Sequence, residues 1–70
     1  MTVERDLKIV SHLQDVGRMV ELAKRDGRSL SKEERSFIWD TRRRALSMSV
    51  SHRMMHWIEQ EGADEARGVR

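Results

Sequence analysis

The chain has no cysteine, no proline and no tyrosine, and only four glycines and one phenylalanine among its 70 residues. Each shortage excludes something. Without cysteine there are no disulfides and no thiolate metal ligands, and the lack fits a reducing compartment. A domain near this size buries only about 60% of its unfolded surface, so support is expected from oligomerisation or from docking on a partner. Without proline, and with glycine confined to Gly17, Gly27, Gly62 and Gly68, little interrupts a helix. No apolar run approaches the roughly 18 residues that cross a bilayer. The opening residues Met1 to Asp6 lack the apolar core of a signal peptide. No membrane partner is expected, and the expected location is the cytoplasm.

Charge, by contrast, is plentiful: 37% of residues are charged and the net charge is +2. Residues 27–56 carry seven bases against three acids, whereas residues 57–70 carry four acids and two bases. The middle of the chain is a basic zone and its end is mildly acidic. The overall excess is far below that of most dedicated nucleic-acid binders.

Val3, Leu7, Val10, Leu13, Val16, Gly17, Val20 and Ala23 recur at steps of three and four, the period of an amphipathic helix. Gly17 lies on that stripe, where it weakens the helix by roughly 1 kcal/mol but admits a close neighbour. Gly27 suits the left-handed end of this helix. Ser31-Lys32-Glu33-Glu34 is a capping box, with the Ser31 hydroxyl and the Glu34 carboxylate bonding each other's backbone N–H. The expected fold is therefore all-α: an antiparallel hairpin over residues 1–62. One helix covers about 3–26, a loop 27–31 and a long second helix about 32–60. Gly62 suits the C-cap of the second helix, and residues 63–70 read as a flexible tail. Leu46, Met48 and Val50 alternate strictly within Ala45–Ser51, a strand pattern. No second alternating run offers a partner, and helical spacing flanks it on both sides, so helix is the expectation.

The long helix carries two apolar stripes. Ile38, Thr41, Ala45, Met48, His52, Met55 and Glu59 form a heptad seam expected to pack on the first helix, with Val20 facing Ile38, Leu13 facing Ala45 and Val3 facing Met55. Trp39, Leu46, Val50, Arg53 and Trp57 form a second stripe well over 90° away. The first helix cannot cover both. Two tryptophans with leucine and valine make a larger apolar patch than a monomer usually exposes. This second stripe is read as a protein-binding or dimer interface, the favoured occupant being a second copy that completes a four-helix bundle. The competing occupant is a foreign protein anchored by the tryptophans.

Other candidate chemistry is thinner. His52 and His56, four apart on one helix face, have zinc-ligand spacing, with His12 or Asp6 as third ligand. Arg53, however, stands where the metalloprotease pattern needs glutamate, and solvated histidines are the plainer reading; no metal or other cofactor is expected. Ser47, Ser49 and Ser51 lack a histidine–acid frame, so no catalytic residue and no enzyme activity are expected. Met48, Met54 and Met55 read as adaptable core filler. Arg42-Arg43-Arg44 fan out over about 200°, but with Arg35 and Arg53 they are candidates for contacting nucleic acid or an acidic partner. The expected function is a small non-enzymatic dimeric regulator or adaptor that binds and modulates another protein. Phage- and plasmid-type accessory proteins that inhibit a host protein share this size and style. The alternatives are a small nucleic-acid-binding regulator using the arginine-rich second helix, and a structural subunit of a larger assembly.

Overall fold

A computed structural model describes residues 3–68, and the side chains of 6–68. They form three helices, α1 (Val3–Asp26), α2 (Lys32–Ser47) and α3 (His52–Arg67), with no strand among the described residues. The all-helical expectation holds, but the two-helix hairpin does not: the long second helix is broken, and residues 63–67, expected in a flexible tail, complete α3.

Local chemistry accounts for each end. α1 stops at Gly27 (φ 66°), where Arg28 N–H donates to the Ala23 carbonyl at 3.0 Å and Gly27 N–H to that of Lys24 at 3.2 Å. These are the paired bonds of a Schellman motif. The capping box opens α2. Glu34 N–H donates to Ser31 Oγ at 3.1 Å, and Ser31 N–H donates to the Glu34 carboxylate at 2.7 Å. Arg28 clamps that carboxylate with two further bonds at 2.9 and 3.1 Å.

The break repeats the Schellman pattern on an unexpected residue. Val50 N–H donates to the Ala45 carbonyl at 3.0 Å and Ser49 N–H to that of Leu46 at 3.1 Å, with Ser49 left-handed at φ 67°. A left-handed residue with a Cβ costs about 1–2 kcal/mol. Ser51 then caps α3, its Oγ accepting from Met54 N–H at 3.1 Å, and Ser47 Oγ donates back to the Arg44 carbonyl at 2.8 Å. Serines that bond their own backbone compete with the helix ladder. The alternation over 45–51 thus marks neither a strand nor a continuous helix, but a four-residue turn.

The reason for the break is tertiary. It lets α3 turn back and lie beside α1, putting Met55 and Ile58 against Ile9 and Leu13, with Ala45 of α2 closing the cluster. The contacts Gln14–Glu61, Arg18–Glu65 and Arg67–Glu21 advance together along both helices, so α1 and α3 run parallel. Their backbones touch. A Cβ at Gly17 would lie 1.8 Å from the Glu59 carbonyl oxygen, and one at Gly62 would lie 2.0 Å from that of Gln14. Gly17 does admit a close neighbour, but the neighbour is α3. Gly62 is a mid-helix packing residue, and the left-handed cap falls to Gly68 (φ 77°).

α2 packs against α1 on another side. Val20 and Ile38 line one groove, and Leu13 and Ala45 share the core. Met55 meets Ile9 and Leu13 from α3, not from a continuous second helix; the expected partner Val3 lies outside the side chains described. His52, placed in the heptad seam by its spacing, is exposed because it falls at the start of α3. Among the described residues, five large apolar side chains are buried: Ile9, Leu13, Val16, Met55 and Ile58. This is a small core.

Candidate protein-interaction surface

The largest exposed apolar side chains are the two tryptophans, Trp39 at 67% and Trp57 at 61% of full exposure. Trp39 projects from the flank of α2, on the lip of a shallow groove formed with Val20, Leu30, Arg35, Ile38 and Arg42. Leu46, two turns further along the same helix face, is also exposed. Trp57 stands on α3, on the side turned away from Met55 and Ile58, with the exposed Met54 one turn before it.

The second stripe is therefore not one seam. Trp39 and Leu46 belong to α2, and Arg53 and Trp57 belong to α3. Val50, in the turn between them, is half-buried and packs against the core cluster. The turn at 48–51 separates what helical spacing had joined. Sequence reasoning also missed exposed apolar residues. Leu7, placed on the α1 stripe, is exposed; Leu22, left off that stripe, borders a second groove with Met19 and Phe37, rimmed by Arg18, Asp15, Arg28 and Glu34. Leu22 could have been found from its wheel position, which lies well away from the buried Val16 and Ala23.

The arginines divide as well. Arg42 donates to Glu59 through Nε at 3.0 Å and through a terminal nitrogen at 2.7 Å, tying α2 to α3. This two-pronged bond raises the guanidinium pKa above its ordinary value. Arg42 is thus paired within the chain, with Glu59 of α3. Arg35, Arg43, Arg44 and Arg53 are exposed and form no ion pair among the described residues. Arg43 and Arg44 border a polar hollow with Asp40 and Ser47.

The histidines do not converge. His12 packs edge-on against Phe37, with ring centroids 5.9 Å apart, while His52 and His56 are exposed on α3. Among the described residues no three histidine, aspartate or glutamate side chains come close enough to hold a metal ion. Among the described residues no helix is long and apolar enough to cross a membrane. Comparison with protein-family models, with curated proteins and with solved structures finds no match to this chain.

Proposed function

We propose that the chain is a small non-enzymatic regulator or adaptor that self-associates and binds another protein through its tryptophan-bearing surfaces. The carrying observation is the exposure of Trp39 and Trp57, with Leu46 and Met54 beside them, on a molecule whose own core is small. Tryptophan is the residue most enriched at binding hot spots, where it fills a partner's pocket, and each can bury on the order of 200 Å². The exposed arginines Arg35, Arg43 and Arg53 flank these side chains along the same helices and favour an acidic rim on whatever binds.

Two measurements test this. Light scattering at micromolar concentration is expected to give twice the monomer mass, and the double variant Trp39→Ser, Trp57→Ser is expected to return it to the monomer. A clean wild-type monomer would remove self-association from the reading. A pull-down that retains the same proteins with wild type and with the double variant would remove the tryptophans as anchors.

The second reading, a nucleic-acid-binding regulator, is favoured by one observation: Arg35, Arg43 and Arg44 are exposed and unpaired among the described residues on a single helix. It predicts salt-dependent binding to any duplex, lost in Arg43→Ala, Arg44→Ala. Absence of binding in low salt eliminates it.

A further inference from the structure

The turn between α2 and α3 is where patterning and fold diverge. Residues 45–51 contain neither glycine nor proline, and the seam Ile38, Thr41, Ala45, Met48, His52, Met55, Glu59 runs through them without a skip. So does the second stripe, Trp39, Leu46, Val50, Arg53, Trp57. The turn nevertheless holds Ser49 left-handed at φ 67°, a conformation that penalises any side chain with a Cβ. A segment with unbroken helical patterning, no obligatory breaker and one strained residue is a hinge with two solutions. In the second, residues 48–51 become helical, and their N–H groups replace the Schellman bonds with ordinary ones four residues back. α3 must then leave its own α1.

A second copy can receive it. We infer that the chain forms an exchanged dimer, in which α2 and α3 fuse into one helix from Lys32 to Arg67 and each α3 docks on the α1 of the other copy. This rests on the self-association reading above and specifies its form. The occupant is identified by the α1 surface itself. Gly17 accepts only a helix whose backbone can touch it, and Gly62 answers with the same property against Gln14. Glu61, Glu65 and Arg67 match Gln14, Arg18 and Glu21 at the positions the contact requires. Another copy of this chain carries all of these residues, so the contact is remade in full, and so is the Arg42–Glu59 pair. Only the hinge differs, together with what is newly buried where the two long helices pass. There Ser47, Ser49 and Ser51 are small enough for close approach, and Trp39, Leu46, Val50, Arg53 and Trp57 return to a single seam.

The lack of native cysteine makes the test direct. In the full chain, Gln14→Cys with Glu61→Cys places thiols on α1 and α3 where the two native side chains meet at 3.4 Å. Monomer and dimer fractions are separated by gel filtration, treated with a short bis-maleimide and run on a denaturing gel. The monomer fraction is expected to give an internally bridged single chain and the dimer fraction a covalent dimer. A dimer fraction bridged only internally overturns the exchange while leaving self-association standing. Absence of any dimer up to millimolar concentration overturns both. A second variant reads the hinge: Ser49→Gly relieves the left-handed residue and weakens the straight helix, and should weaken dimerisation by about tenfold or more. Unchanged or tighter dimerisation overturns the proposal.

Discussion

Glu34 serves two neighbours at once, closing the capping box with Ser31 N–H and receiving both prongs of Arg28. The Arg28 guanidinium first, and the Ser31 N–H after it, hold its carboxyl near 2, against an ordinary 4.5. A depressed folded pKa stabilises the fold above the unfolded value and is lost as pH falls through the folded one. The stability difference between wild type and Glu34→Gln should therefore be constant above pH 4.5 and shrink between 4.5 and about 2, measured by urea titration. Glutamine keeps the box geometry, so the difference isolates the charge. Gly17 gives the opposite kind of residue effect. Alanine there gains about 1 kcal/mol of helix propensity. Its Cβ, however, would enter the Glu59 backbone at 1.8 Å, and overpacking against backbone costs about 1–3 kcal/mol or more. Gly17→Ala should lower the melting temperature by roughly 10 °C, a net loss near 2 kcal/mol. The capping box and Gly27 were legible in the sequence because each acts within a few residues. Gly62 was not, because a glycine that stops a helix and one that lets another helix approach look alike until the other helix is in place.

At the scale of elements, α1 was legible from its period, and α2 from its cap. The break was not. Helix-to-turn decisions at serine are close, and this one is taken by Met55 and Ile58 reaching Ile9 and Leu13, a gain that no local pattern records. The alternating serines did carry information, since Ser47 and Ser51 both bond nearby backbone, but alternation suggested the wrong element. Ser49→Gly distinguishes the alternatives by thermal melting of the dilute monomer. With the turn as described it should add about 1 kcal/mol and raise the midpoint by roughly 4–8 °C. In an uninterrupted helix the same change would lower it, by about half as much.

For the molecule as a whole, the exposure of Trp39 and Trp57 separates folding from association. Because neither is buried in the single copy, Trp39→Ser and Trp57→Ser should each change monomer stability by less than about 0.5 kcal/mol, measured by urea titration under dilute conditions, while the proposed self-association is lost. A large loss of stability would place them in the fold and not on its surface. The two tryptophans were legible as residues that α1 would leave uncovered, because α1 has one apolar face and the helix expected over 32–60 presented two. Their separation onto different helices was not legible, since it follows from the same tertiary event that broke the helix. The partner of Arg42 was not legible for a related reason: Glu59 lies across the turn, and only the return of α3 brings the two together.

The parallel pairing of α1 with α3 also governs when this protein can fold. Gln14 meets Glu61, and Arg18 meets Glu65, across 47 residues of chain. Closing so long a loop adds little entropy beyond a shorter one, but it must be closed before the contacts reward it. During synthesis α1 emerges before α2, and its best partner α3 only after both. Ile9 and Leu13 stay without most of their cover until Met55 and Ile58 are available, and the glycine-to-backbone seam cannot form until Gly62 arrives. The nascent chain is therefore a helical segment in waiting, with its apolar face open to any neighbouring copy, until α3 has been made.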